Sequence, residues 1–343
     1  MKPSVYVLGA RGLLGKRLVA LLREIPELRE RVIPVGRKKG AIKVDVRAPG
    51  TLAPHLTPGD IVVDLVGPYR HDPSPLLEVC VSRQAHYIDL CESPHRQARV
   101  RQWVELQPKQ PVKSCVLTGC STIPALANAL MPLLERPGVR VLQWHVFLSM
   151  GTRHPVSASL LYGLLRPLGR SRGGLQWWRE SITRELGDGR WRRYGSYPAS
   201  WPLERVRFWA GFDRAFYWYL LRVAAGLTAF MPDQLLWRLC QLGRPFASLF
   251  RLLGTERGSL RLELEDENSS IRALEVRASE HGLTIPVLPA LWAIRALLER
   301  GMDSSREEPV GVLELSDLVS AKEAAANLQA RGHVVQVRRE VTF

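Results

Sequence analysis

Apolar positions along the first 120 residues fall in short runs separated by amphipathic stretches. Runs at residues 4–8, 31–35, 41–46 and 60–66 read as strands. The last of them, carrying Ile61, Val62, Val63, Leu65 and Val66, is nearly unbroken. That pattern suits a parallel strand covered on both faces. Between them Leu14, Leu18, Leu21 and Leu22 are spaced to share one face of a helix over residues 13–24. A helix at 74–83, a strand at 86–90, a helix at 95–105 and a strand at 114–117 continue the alternation. Strands alternating with helices predict an α/β domain with a doubly wound parallel sheet and right-handed crossovers.

The pattern changes further on. A long strand at 140–150 is followed by an Arg- and Trp-rich helical insertion at about 160–255. Residues 259–264, 271–278 and 283–285 read as antiparallel strands, and 289–300 as a helix stopped by Gly301. A strand at 310–314, a helix at 317–330 and a strand at 333–341 close the chain. The expected organisation is residues 1–138 as the parallel-sheet domain and 139–343 as an α+β domain.

The first strand runs into Gly9, Ala10, Arg11, Gly12, Leu13, Leu14 and Gly15, and the helix opens at once. In a strand–loop–helix context the first glycine permits the tight turn. The second lets backbone N–H groups approach a pyrophosphate, and the third lets helix and strand pack closely. The helix N-terminus adds oriented amides and partial positive charge. The spacing is GxxGxxG, and the domain it implies is a Rossmann-type dinucleotide-binding domain. About twenty residues on, where an acidic residue would bind a ribose 2′-hydroxyl, stand Arg37 and Lys38. Two cations there suit a 2′-phosphate, so NADP(H) is the expected cofactor. Asp45, at the end of the third strand, either faces the adenine or closes an Asx turn.

Ligands of open α/β sheets sit beyond the carboxyl ends of the strands. Val66, Gly67, Pro68 and Tyr69 lie at one such end; Asp89, and Cys120 with Ser121, lie at two others. Asp89, Cys120 and Tyr69 are therefore the candidate catalytic side chains. Each has a plainer alternative: Asp89 as a turn cap, Cys120 as a small packing residue, Ser121 as a helix cap. His86 is expected to pack on the sheet and His95 to face solvent. There is no Tyr-x-x-x-Lys dyad.

The segment from Val66-Gly67-Pro68-Tyr69 through Cys80 to His86-Tyr87-Ile88-Asp89, with the turn Gly119-Cys120-Ser121-Thr122-Ile123-Pro124-Ala125, resembles the cofactor domain of saccharopine dehydrogenase-like oxidoreductases. The resemblance covers residues 4–130 and returns near Gly311-Val312-Leu313. It implies an NADP-dependent oxidoreductase, with Gly67–Tyr69 beside the nicotinamide ribose and a homodimer formed through the second domain's sheet. Some relatives reduce C=N bonds of amino acids and others act on acyl chains. The arginines with which saccharopine-processing members hold their substrate have no counterpart here that can be aligned. Residues 150–255 resemble nothing in that family.

Charge and cysteines change the picture mainly in the middle of the chain. Five cysteines, without CxxC or zinc-ligand spacing, predict neither a disulfide framework nor a metal site. Residues 5–8 are too short an apolar run for a signal peptide, and the expected location is cytoplasmic. The net charge is +15, and residues 166–257 carry sixteen arginines, no lysine and seven acids. Seven of the ten tryptophans lie at 177–237. Phe208, Trp209, Phe212, Phe216, Tyr219, Leu220 and Val223 recur at helical spacing. This stripe either packs on the sheet or, through residues 205–255, meets an anionic membrane surface or a lipid-like substrate. The membrane reading would place the protein peripherally on a membrane's inner face. No nucleic-acid motif accompanies the charge, so nucleic acid is not an expected partner. The expected activity is hydride transfer to or from a C=N or activated C=C bond of a small or apolar substrate. The alternative is a non-catalytic NADP(H)-binding sensor or membrane-surface protein.

Overall fold

The computed structural model describes residues 2–37, 41–107, 113–170, 192–194, 205–228, 230–302 and 310–341. They divide into two compact units, Met1–Ala129 with Thr284–Ala324, and Leu130–Leu283 with Ala325–Phe343. The division departs from the expected boundary at 138 in one main respect: residues 284–324 return to the first unit.

The first unit is built on β1 (Val5–Leu8), β2 (Val32–Gly36), β3 (Ile42–Lys43), β4 (Ile61–Asp64), β5 (His86–Asp89) and β6 (Cys115–Leu117). The strands are all parallel, in the order β3-β2-β1-β4-β5-β6, and a two-residue strand, Gly311–Val312, adds itself to the β6 edge. The order reverses between β1 and β4, which opens the crevice where such sheets take their ligands. The unbroken apolar run of β4 is buried at every position, as a central strand covered on both faces requires. Around the sheet lie α1 (Leu13–Arg23), α2 (Ser74–Ser82) and α3 (Pro94–Glu105). The helix Leu288–Met302 packs against α1, burying Ala290, Leu291, Ala293 and Ile294. The expected strand at 283–285 is instead part of a 3-10 turn, Gly282–Val287, that feeds this helix. Pro286 has no N–H to give to a ladder, which disfavours a strand there.

The second unit is a mixed six-stranded sheet. In chain order it contains β7 (Val141–Met150), β8 (Arg192–Tyr194), β9 (Val206–Phe212), β10 (Gly258–Asp266) and β11 (Ser270–Ala278), with the C-terminal strand Val334–Val341 beside β11. β7 pairs with β9 in parallel and with β10 antiparallel. Phe208 and Trp209, expected on a helix, thus sit in a strand and are buried.

Beside β8 and β9, the described part of the insertion holds helices α4 (Ala158–Arg170), α5 (Ala215–Thr228) and α6 (Asp233–Leu249), and α4 packs against both of the others. Leu236 and Cys240 of α6 are buried with Tyr162 of α4, whose ring meets Trp237 edge-on at 5.8 Å. The apolar stripes face the other way. Phe216, Leu220, Val223 and Leu227 on α5, and Leu235, Leu239, Leu242 and Phe246 on α6, are all exposed. The expectation that the stripe packs on the sheet does not hold for these helices.

Candidate functional site

The loop after β1 is shaped by its glycines. Gly9 has φ +75°, and a Cβ there would stand 2.7 Å from the carbonyl oxygen of Leu65, just past β4. The Gly12 N–H donates to Gly9 O at 2.8 Å and closes the turn. At Gly15 a Cβ would collide with Gly9 O and approach the Ala10 Cα to 2.8 Å. Only glycine lets α1 begin this close to the loop. Gly12 sits at the helix cap without a side chain to cap it, and the first turn holds no acid. The leading N–H groups of α1 are thus oriented toward the carboxyl edge of the sheet without an intrahelical acceptor. Leu13 and Leu14 contribute two of them, Ala10 is buried beneath and Arg11 is exposed. This cradle fits a pyrophosphate on geometry alone.

The register places the neighbouring strand ends alongside. Leu8 of β1 pairs with Val35 of β2 and with Asp64 of β4, and Asp64 pairs with Asp89 of β5. Arg37 follows β2 directly and is exposed; Lys38 lies outside the described residues. Asp45 accepts the Arg47 amide on Oδ1 at 3.0 Å, while its carbonyl accepts the Ala48 amide at 2.9 Å. Of its two readings, this geometry is the Asx turn.

After β4 the chain turns through Val66, a cis Gly67–Pro68 bond and Tyr69, which has φ 57°. The Val66 amide donates to Asp64 Oδ1 at 2.9 Å. The Tyr69 hydroxyl donates to the Asp64 carbonyl at 3.0 Å and accepts the Leu90 amide at 3.2 Å. It therefore ties the β4 and β5 ends together. Burial, then the Asp64 and Asp89 charges, push its pKa well above the ordinary tyrosine value.

Below this turn lies a buried charged cluster that the sequence reading did not assemble. Asp64 Oδ2 is 2.9 Å from His71 Nε2 and 3.1 Å from Arg96 Nη2. Arg96 Nη1 also donates to the His71 carbonyl at 2.6 Å, and its guanidinium lies 5.1 Å over the Tyr69 ring. Arg96 Nε approaches Asp89 Oδ2 at 3.9 Å. Burial works against the guanidinium, but Tyr87, Asp89 and Asp64 outweigh it and hold it charged. Asp89 itself accepts the Cys91 and Gly119 amides on Oδ1, both at 2.9 Å, the Thr118 hydroxyl, and the Tyr87 hydroxyl on Oδ2 at 3.0 Å. Burial raises its pKa despite Arg96 and these amides. Asp89 thus acts as a knot between the ends of β5 and β6.

Cys120 is buried and its amide donates to the Asp89 carbonyl at 2.6 Å. Burial, then Asp89, raise its thiol pKa above the ordinary range. Such a thiol stays protonated and is a poor nucleophile. Ser121 precedes the helical turn Thr122–Ala127, but its hydroxyl donates to Glu92 Oε1 at 3.0 Å and accepts no capping bond from the helix amides. Burial raises the Glu92 pKa, against the hydrogen bonds from Ser121 and the Ile123 amide. His86 accepts the Cys115 amide on Nδ1 at 3.0 Å, and His95 is exposed. Among the described residues no group of three or more His, Cys, Asp or Glu could hold a metal ion.

The structure thus brings Tyr69, Asp89 and Cys120 to one floor at the strand ends and gives each a tying role. Asp64, His71, Glu92 and Arg96 were missed. A signal existed for two of them. The runs Val62-Val63-Asp64-Leu65 and Tyr87-Ile88-Asp89-Leu90 each end a strand on aspartate, so pairing them sets two carboxylates side by side. Two buried carboxylates require a cation.

A glycine cradle and a helix N-terminus at the switch point of a parallel sheet define a dinucleotide-binding domain. Residues 5–113 match the family model of the saccharopine dehydrogenase NADP binding domain. That match supports NADP(H) as the cofactor this domain holds. Among solved structures the chain is similar to apo saccharopine dehydrogenase (L-Glu forming) from Saccharomyces cerevisiae. The TM-score is 0.55 at 11% identity, covering 98% of this chain and 100% of that one. That likeness is one of fold. A "putative oxidoreductase" from Klebsiella pneumoniae matches at TM-score 0.32 and 13% identity, covering 97% of this chain and 99% of that one, too distant to carry an argument. No curated relative matches at the level of sequence.

Proposed function

We propose that the protein is an NADP-dependent oxidoreductase that transfers hydride to or from a C=N or activated C=C bond of a small, apolar substrate. The observation that carries this reading is the glycine cradle at the sheet's switch point, within a domain of the saccharopine dehydrogenase NADP-binding type. The Gly9–Gly15 amides would hold the pyrophosphate, and Arg37 with Lys38 the 2′-phosphate. Val66–Tyr69 would run beside the nicotinamide ribose. The bound cofactor supplies the hydride chemistry, and no protein nucleophile is needed. The chain's own task is to orient the substrate and move a proton. Glu92, held by Ser121 beyond β5 and β6, is the side chain assigned to that proton; Tyr69, Asp89 and Cys120 hold the floor rigid.

The engagement of the Tyr69 hydroxyl by two backbone groups favours a second reading, a protein that binds NADP(H) and senses its redox state without turnover. Following NADPH oxidation across a panel of imines, enones and acyl thioesters separates the two. Turnover on any of these classes supports the oxidoreductase. Tight NADPH binding with no turnover on all of them refutes it in favour of the sensor.

A further inference from the structure

The outer faces of α5 and α6 are exposed apolar stripes, while their inner faces pack on α4. The stripes are therefore not core faces turned the wrong way; the helices are already anchored by their other sides. Phe230, in the connection between them, is 97% exposed. A single exposed leucine needs no explanation, but a periodic stripe on two consecutive helices does.

Charge indicates what covers it. Residues 215–253 contain four arginines, no lysine and one acid, Asp233. That acid lies 3.1 Å from Arg166, so its charge is matched. Arg238 and Arg244 are exposed on the same helix as the α6 stripe. Apolar stripes flanked by arginines, on helices of 14 and 17 residues, suit elements that lie in the plane of a bilayer interface. Both are shorter than the roughly 20 residues needed to span one. Among the described residues one helical stretch is long and apolar enough to span, Gly282–Gly301, and it is mostly buried within the protein.

We propose that α5, the Phe230 connection and α6 dock the protein on an anionic lipid bilayer. The stripes lie among the acyl chains and the arginines reach the headgroups. The proposal is independent of the oxidoreductase reading.

The test is co-sedimentation of the full chain with phosphatidylcholine vesicles, with or without about 30% phosphatidylglycerol, at low and high salt. Binding is expected to the anionic vesicles at low salt, and to fall at least about fivefold in high salt or on pure phosphatidylcholine. The pairs Val223→Glu with Leu227→Glu, and Leu242→Glu with Phe246→Glu, each weaken partitioning at least about tenfold. NADPH affinity stays unchanged, which separates failure here from failure of the catalytic reading. Absence of binding to anionic vesicles at low salt overturns the proposal, as does wild-type binding by both pairs. If the pairs instead break up a self-associated form, a second copy covers the stripes and the proposal is wrong. If both pairs lower the melting temperature by several degrees, the stripes are covered within the chain, with the same consequence.

Discussion

Replacing Arg37 with serine tests how the site tells NADPH from NADH. Leu8 pairs with Val35, so the turn carrying Arg37 runs beside the loop that begins at Gly9. Neighbouring strands lie about 4.8 Å apart, and a nucleotide with its pyrophosphate over the Gly9 loop brings its adenosine ribose within reach of Arg37. A hydrogen bond to a charged partner is worth about 1.5–3 kcal/mol. Arg37 is exposed, so water competes and the low end applies. A loss of about 1.5–2 kcal/mol corresponds to about 10–30-fold weaker NADPH binding for Arg37→Ser. NADH has no 2′-phosphate and changes less than about threefold. Arg37→Asp adds repulsion from the phosphate, about 1 kcal/mol per unit charge at 4 Å in water, and weakens NADPH by several hundredfold or more. Titrating both cofactors by calorimetry or by nucleotide fluorescence, at two salt concentrations, measures all of this. The gap between NADPH and NADH should narrow as salt rises. Parallel losses for both cofactors, or no loss for either with Arg37→Asp, would refute the assignment.

Gly15→Val drives side-chain atoms into Gly9 O and the Ala10 backbone, so NADPH affinity should drop more than about tenfold with the circular dichroism spectrum intact; retained affinity contradicts the cradle. Arg96→Met strands Asp64 and Asp89, and urea unfolding should show a loss of about 3–5 kcal/mol at pH 8. Without Arg96 the already raised Asp89 pKa rises further. A carboxyl with a raised folded-state pKa contributes stability at low pH that is lost as pH climbs through that pKa, so the deficit of Arg96→Met shrinks on acidification. A deficit that grows toward pH 5 falsifies that account. Tyr69→Phe removes the tie between Asp64 O and Leu90 N, costing about 1–3 kcal/mol of stability; a hundredfold fall in kcat with no change in stability would make Tyr69 the proton donor instead. If Glu92 delivers the proton, reduction slows as pH rises through its raised pKa, and Glu92→Gln removes that limb of the kcat profile; an unchanged profile excludes it.

What was legible in the sequence follows from how local each signal is. The glycines at 9, 12 and 15 act within seven residues, and their spacing alone predicts the turn, the helix start and the close approach that the structure contains. The β4 run announces burial on both faces because no polar residue interrupts it between Ile61 and Val63. The cluster of Asp64, His71, Asp89 and Arg96 was not legible residue by residue. It depends on the β4–β5 register and on one arginine of a polar helix turned inward, and a helix as polar as α3 gives no periodic hint of which arginine that is. The strand read at 310–314 within the second domain is present as Gly311–Val312 but pairs with β6 of the first unit, because its short run carries no information about its neighbour.

The region from 205 to 255 failed for a different reason, and that reason bears on function. Val206, Arg207 and Phe208 begin an alternating pattern, and the apolar residues on to Phe212 belong to a strand. Read together with Phe216, Tyr219 and Val223 they mimic one long helical stripe. Periodicity shows that a helix has an apolar side but not what medium faces it, because core, partner and acyl chain are equally apolar. Here the inner positions Leu236 and Cys240 already meet α4, so the stripe cannot be serving the core as well. An amphipathic helix needs one apolar face to join its fold. A second apolar stripe beside the first, with arginine as nearly the only charge, is what the proposed docking on an anionic bilayer accounts for.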